Sequence, residues 1–234
     1  MTRQVALVTG AARGIGLEAV SQLVDRGHLV FAAVRVAGST GIADLARDHP
    51  GRVHEVVMDV ADDQSVAGAA GRVAELTDRL DLLINNAGIY PQDGGGIETL
   101  DLGALLTAFQ VNALGPLRVT RALLPLLRRG DGKRIVQVTS LMGSIGDNGS
   151  GGSYAYRMSK AALNMANRNL AHELRPEGFV CVAVHPGWVR TRMGGSAAPL
   201  GLREAVEQLL DNACGASPAD SGGLRGPGRR ALPF

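Results

Sequence analysis

Aromatic residues are scarce in this 234-residue chain: one tryptophan, three tyrosines and four phenylalanines, 3 % of the sequence. A core must therefore be assembled from Ala, Val, Leu and Ile, within an apolar fraction of 45 %. There are two cysteines. Cys181 lies inside a strand-like pattern and Cys214 in a distant polar segment, so a structural disulfide is not expected. No apolar run reaches membrane-spanning length, and the sequence opens on its first strand-like run without room for a signal peptide. A cytoplasmic protein without membrane partners is expected. The formal charge is only +2 and comes from scattered arginines. No basic block is long or interleaved with aromatics, which argues against nucleic acid as a partner. The densest cluster, Arg128, Arg129, Lys133 and Arg134, reads as a helix C-terminus with a favourable dipole. Glycine is plentiful at 32 residues but follows no period and forms no low-complexity tract.

Lysine is the scarcest charged residue. Lys133 and Lys160 are the only two, against 22 arginines. Lys160 stands four residues after Tyr156, which on a helix places both on one face a turn apart. A free phenol has a pKa of about 10, and bringing it to about 7 needs roughly 4 kcal/mol of anion stabilisation. One ammonium about 4 Å away, at an effective dielectric near 20, provides roughly that much. The spacing thus predicts an acid/base pair for neutral pH. Tyr154 does not share this arrangement, because Met158 stands four residues after it.

Gln4 to Thr9 reads as a buried strand. Gly10, Ala11, Ala12, Arg13, Gly14, Ile15 and Gly16 follow directly, and an apolar helical period then runs to Gly27. Strand, glycine-rich turn and helix in this order suit a dinucleotide. Gly10 permits the tight turn, Gly14 clears space for a diphosphate, Gly16 allows close helix–strand packing, and the helix N-terminus offers free N–H groups.

Further strands are predicted at His28–Val34, Val53–Met58, Leu80–Asn85, Arg134–Thr139 and Phe179–His185. Helices are predicted near Leu17–Arg26, Asp63–Thr77, Leu102–Arg128, Ser153–Arg175 and Leu202–Asn212. This alternation predicts an α/β fold: one Rossmann-type, doubly wound parallel sheet with helices on both faces, formed by residues 1–234 as a single domain. Ligands in such sheets bind beyond the carboxyl ends of the strands. Thr9–Gly10, Arg35, Asp59, Asn86–Gly88, Ser140 and Pro186 all fall at or just past such ends.

Five motifs now resemble one family. The turn Thr9–Gly16, the pair Asp59–Val60, the run Asn85, Asn86, Ala87, Gly88, the set Asn112, Ser140, Tyr156, Lys160, and the segment Pro186, Gly187, Trp188, Val189, Arg190, Thr191 resemble the short-chain dehydrogenases/reductases, in their ordinary single-domain branch. Ser153–Asn164 and His185–Gly195 are similar to its C-factor/sniffer-like carbonyl reductase subgroup. The resemblance implies hydride transfer between a nicotinamide and a small carbonyl or alcohol compound. It assigns catalysis to Asn112, Ser140, Tyr156 and Lys160. It assigns the cofactor to Gly10, Arg13, Gly14, Ile15, Gly16, Arg35, Asp59, Val60, Asn86, Ala87, Gly88, Pro186, Gly187, Val189 and Thr191, together with Tyr156 and Lys160. It also implies a homodimer or homotetramer; no metal ion is expected.

The residues themselves add detail. The second strand ends Val34-Arg35 without the carboxylate that would bond a ribose 2′-hydroxyl, and an arginine fork suits a 2′-phosphate, with Arg13 as a second cation. NADP(H) is therefore expected over NAD(H). Ser140 can donate to a carbonyl oxygen that becomes negative as hydride arrives. Pro116, four residues past Asn112, deprives the Asn112 carbonyl of its helical donor, so that this oxygen can hold a relay water. Gly146–Gly152 reads as a flexible loop longer than is usual in the family, Arg190–Gly201 as a mobile lid, and residues 216–234 as a weakly encoded tail with a seventh strand near Gly222–Leu224. Ile89, Tyr90, Met142, Tyr154, Trp188 and Met193 are candidates to line an apolar pocket. A second reading, from the C-factor likeness, is a nucleotide-binding regulatory or signalling protein that keeps the fold and not the chemistry.

Overall fold

The computed structural model describes residues 3–234. Eight strands form one sheet in the order β3-β2-β1-β4-β5-β6-β7-β8. They are β1 Val5–Thr9, β2 Leu29–Val34, β3 Val53–Val57, β4 Leu82–Asn85, β5 Arg134–Val138, β6 Val180–Val184, β7 Leu224–Arg225 and β8 Ala231–Leu232. All neighbours are parallel except β8, which runs antiparallel to β7 and so departs from the expected all-parallel sheet. Seven α-helices cover the faces: α1 Gly14–Asp25, α2 Thr40–Asp48, α3 Asp63–Leu76, α4 Leu102–Phe109, α5 Gly115–Arg129, α6 Tyr154–Leu174 and α7 Leu202–Gly215.

Both faces of the central strands are sealed, which is why these strands read as unbroken apolar runs and not as alternation. Ala6, Val8, Val30 and Ile84 pack under α1 and α7 with Val20, Leu23, Val206 and Leu210. Leu7, Phe31, Leu83 and Ile135 pack on the other face with Val73, Val119, Leu123 and Leu174. Cys181 belongs to the second layer and Cys214 packs against the first, so the sheet separates the two free thiols. The basic residues at the end of α5 are engaged within the chain: Arg128 with Glu177, Lys133 with the Glu177 carbonyl, and Arg134 with the Ala216 carbonyl.

At the amino end of the sheet, Asp81 is 2 % exposed and its carboxylate accepts from the backbone N–H groups of Val5 (2.8 Å), Asp131 (2.8 Å) and Gly132 (3.1 Å). It ties the start of β1 to the turn before β5. Asp81→Ala would orphan three backbone donors, at a cost of about 3 kcal/mol, because buried unmet donors are expensive. Thermal unfolding should show a loss of roughly 6–12 °C. Turnover at low temperature should be retained, since the site below lies at the opposite end of the strands.

Two differences from the sequence reading have clear causes. α2 was not predicted; it is short, with one fully buried residue, Ile42. The predicted helix Leu102–Arg128 is interrupted: residues Gln110–Leu114 widen into a π turn, closed by Gly115 N–H to the Gln110 carbonyl. Pro116, at the start of α5, has no N–H to give, so the ladder must change register there.

Candidate active site

The strand order reverses between β1 and β4, and the crevice beyond their carboxyl ends is where such sheets take ligands. The two edges are stitched together. Thr9 Oγ1 accepts from Asn86 N–H and Ala87 N–H, both at 3.0 Å, and Asn86 Nδ2 donates to the Thr9 carbonyl at 2.9 Å. Gly10 has φ +65°, and a Cβ there would lie 2.9 Å from Ala87 Cα. A Cβ on Gly16 would lie 2.3 Å from the Gly10 carbonyl oxygen. Above Gly14, by contrast, nothing comes closer than Thr191 Cγ2 at 3.8 Å. Residue Arg13, at the N-cap of α1, gives no side-chain cap, which leaves first-turn N–H groups free for an anion. The turn is closed where it packs and open where a diphosphate would lie, so these residues fit a dinucleotide.

The other cofactor candidates fall around this turn. Ile15 is half-buried, and Arg13 and Arg35 are exposed on the rim. Asp59 holds its own loop, with Oδ1 accepting from Ala61 N–H at 2.9 Å. Val60 is buried against α5, within 3.0 Å of where a Gly115 Cβ would sit, so only its backbone is free to meet a ligand. Pro186 is buried, Gly187 has φ +87°, and Val189 bridges to Leu200. Thr191 accepts from Gly194 N–H at 3.0 Å. Arg190 donates to the carbonyls of Ala198 and Pro199, closing the neck of the segment read as a lid.

Gly88 shows how tightly the proposed catalytic set is drawn together. A Cβ there would sit 3.3 Å from Asn112 Oδ1 and 3.6 Å from Lys160 Nζ. Asn112 is fully buried in the π turn, and its side chain, which the sequence reading left unused, holds the β4 loop: Oδ1 accepts from Ile89 N–H (2.8 Å), and Nδ2 donates to the Ile89 carbonyl (2.9 Å) and to Ser159 Oγ (3.0 Å). Ser140 ends the β5 segment with Oγ accepting from Met142 N–H.

Tyr156 lies in the first turn of α6 and Lys160 one turn on, as the spacing predicts. The expectation that the amine alone sets the phenol's acidity needs correction. Burial pushes Tyr156 up to about 12, and only the neighbouring Ser140 hydroxyl, which favours the phenolate, pulls it down. Lys160 is 4 % exposed, donates to the Val138 carbonyl at 2.8 Å, and sits 5.8 Å from the centre of the phenol ring. Its own pKa is lowered to about 8 by burial. The amine is not among the groups that lower the phenol, and the cost of burying the phenolate dominates.

Several site residues escaped the sequence reading. Glu55 accepts from Gly38 N–H (2.8 Å) and Ser39 N–H (3.1 Å), and so shapes the loop that follows Arg35. Arg157 latches the glycine-rich loop through the Gly151 carbonyl and Ser150 Oγ, so that loop is tethered at its end. Asp93, buried in the segment after β4, accepts from Ala155 N–H at 2.9 Å and caps α6 from 62 residues away. No local pattern signals such a long-range cap.

A nucleotide-binding crevice at the β1/β4 reversal, with a tyrosine, lysine, serine and asparagine converging beside it, defines a dinucleotide-dependent oxidoreductase of the α/β type. Residues 4–199 match the short chain dehydrogenase family model, and the chain belongs to that family. It is 38 % identical over 220 residues to the 1-hydroxy-2-glutathionyl-2-methyl-3-butene dehydrogenase of Rhodococcus sp. (strain AD45), covering 92 % of this chain and 93 % of that one. It is 51 % identical over 146 residues to the C-signal of Myxococcus xanthus, covering 62 % of this chain and 87 % of that one. Among solved structures, the carbonyl reductase Sniffer of D. melanogaster superposes with TM-score 0.94 at 32 % identity, and the NADPH-bound carbonyl reductase from chicken fatty liver with TM-score 0.91 at 32 % identity, each over the full length of both chains. No helix among the described residues is long and apolar enough to cross a membrane.

Proposed function

We propose that this protein is an NADP(H)-dependent carbonyl reductase, or alcohol dehydrogenase in the reverse direction. One observation carries the reading. Asn112 and Lys160 meet beside Gly88, the Lys160 amine lies 5.8 Å from the centre of the Tyr156 ring, Ser140 neighbours the Tyr156 hydroxyl, and the open glycine turn lies at the same end of the sheet. Bound NADPH supplies the hydride. Tyr156 donates the proton to the carbonyl oxygen, and Ser140 donates a hydrogen bond to the same oxygen as its charge grows. Lys160 holds a buried cation beside the phenol and offers donors to a ribose. The Asn112 carbonyl, in the register change before Pro116, holds a relay water. The NADPH-bound carbonyl reductase among the structural neighbours, and the Rhodococcus dehydrogenase among the relatives, support the reaction class.

The test is NADPH oxidation with a panel of aldehydes, quinones and ketones. Turnover with at least one compound is expected. Micromolar NADPH binding with no turnover across a wide panel would favour the second reading, a regulatory or signalling nucleotide holder, which the likeness to the C-signal motivates.

The cofactor preference rests on Arg13 and Arg35, exposed at the end of β2 and in the glycine turn. Arg35→Asp removes a charge-assisted bond of about 1.5–3 kcal/mol and adds repulsion. NADPH affinity, measured by fluorescence titration, should fall at least about 10-fold, while NADH affinity holds or improves. Equal losses for both cofactors would contradict a role at the 2′-phosphate.

Self-association also belongs to this reading. Leu102 and Leu106 on α4, each 64 % exposed, lie with Leu114, Leu117 and Met165 among the largest exposed apolar side chains. Such a surface suits a homodimer or homotetramer.

A further inference from the structure

All three tyrosines of this aromatic-poor chain fall near one point: Tyr90 after β4, and Tyr154 and Tyr156 at the start of α6. The Tyr90 ring lies against the Tyr156 ring, with centroids 4.6 Å apart and planes tilted by 49°. Its hydroxyl is hydrogen-bonded to Ser153 Oγ at 2.6 Å. Ser153 immediately precedes α6 and holds a left-handed conformation, φ +48°, in which it gives the helix no side-chain cap. Tyr90 is itself held from both sides along the chain. Asn112 takes both backbone groups of Ile89, and three residues beyond Tyr90 the Asp93 carboxylate takes the N–H of Ala155. A rigid frame therefore presents one aromatic ring to another, and the ring it meets is the one assigned the proton transfer.

We propose that Tyr90 is a positioning residue for Tyr156. It fixes the orientation of the phenol ring through ring contact, with its own hydroxyl locked to Ser153, and it covers the phenol from water. This rests on the assignment of Tyr156 as proton donor and goes beyond it. Burial raises Tyr156, and repulsion from the neighbouring Tyr90 raises it further. Tyr90 is 41 % exposed, so one side of the ring faces outward.

The experiment compares Tyr90→Phe, Tyr90→Ala, Ser153→Ala and the double variant Tyr90→Phe/Ser153→Ala, with Tyr156→Phe as control, in alcohol oxidation with NADP+ over a range of pH. Tyr90→Ala should lower kcat at least about 10-fold, as small misplacements of a reacting group do. The rise of its rate with pH should begin at lower pH than in the parent, because an uncovered phenol ionises more readily. Tyr90→Phe keeps the ring and should recover most of the lost kcat, with a pH profile between those of Tyr90→Ala and the parent. Its remaining loss should match that of Ser153→Ala, and the double variant should lose no more than either, since the two share one bond. NADPH affinity should be unchanged in the Tyr90 and Ser153 variants. Tyr90→Ala with a raised KM, unaltered kcat and an unshifted pH profile would overturn the proposal and leave Tyr90 a pocket wall. Additive losses in the double variant would overturn the Ser153 lock, a result readable even where Tyr90→Ala folds poorly. Full turnover in the Tyr156→Phe control would remove the proton donor itself, a distinct failure that takes this proposal with it.

Discussion

Tyr156→Phe should lower carbonyl reduction at least about 100-fold, the smaller end of what a positioned general acid contributes. NADPH binding should stay within about twofold of the parent, because the phenyl ring still packs against Tyr90 and the glycine turn lies elsewhere. The expectation rests on geometry. The phenol is the proton-bearing group that Ser140 faces, and Ser140 is the side chain that favours its anion. With the phenol raised to about 12, Tyr156 is fully protonated at neutral pH, which suits an acid in the reductive direction. On the proposed mechanism the same group acts as a base in the oxidative direction, and there the rate should climb with pH. The measurement is kcat in both directions with NADPH affinity taken separately. Loss of cofactor binding in step with turnover would turn the result into one about folding.

Lys160→Met should separate activity from stability. Turnover should drop at least about 100-fold, since the buried cation beside the phenol is lost. Stability follows another course. The folded-state pKa of Lys160 is lowered to about 8 from 10.5, so the unfolded chain binds the extra proton between these values and stability rises with pH there. Below pH 8 the parent bears the full cost of a buried ammonium, about 3 kcal/mol. The variant escapes this cost but leaves the Val138 carbonyl without its donor, a loss of about 1–3 kcal/mol. At pH 7 the variant should therefore be no less stable than the parent, whereas near pH 10 it should be the less stable of the two. Denaturant unfolding at both pH values checks this. A variant destabilised equally at both would show that the amine is not held at a burial cost.

The sequence made the sheet legible because its strands are buried on both faces and punctuated by turns; Val5–Thr9 and Val180–Val184 lie within one residue of the predicted ends. Every strand end expected at the crevice is there, and Gly10, Gly16 and Gly88 meet neighbours that a side chain would crowd. What stayed hidden was short or long-range. β8 has two residues, Ala231 and Leu232, and exists by pairing with β7. α2 has nine residues and a single fully buried one, too short a stretch for its apolar period to stand out. Pro116 signalled the break after Asn112, but not that the Asn112 side chain would hold the β4 loop. The caps and latches made by Asp93, Arg157 and Glu55 depend on which loops meet, and spacing along the chain carries no trace of them. The acidity of Tyr156 is illegible in the spacing for a related reason. The i, i+4 spacing fixes the face shared with Lys160, whereas the Val138 carbonyl fixes where the amine points.

The proposed chemistry requires Tyr156 and Ser140 to hold the reacting oxygen beside bound nicotinamide. A crystal structure with NADPH and a product-like alcohol tests it most directly. The alcohol oxygen should lie within about 3 Å of both Tyr156 Oη and Ser140 Oγ, with its carbinol carbon facing the nicotinamide. An alcohol seated elsewhere, or a phenol turned out of the crevice once NADPH is bound, would contradict it.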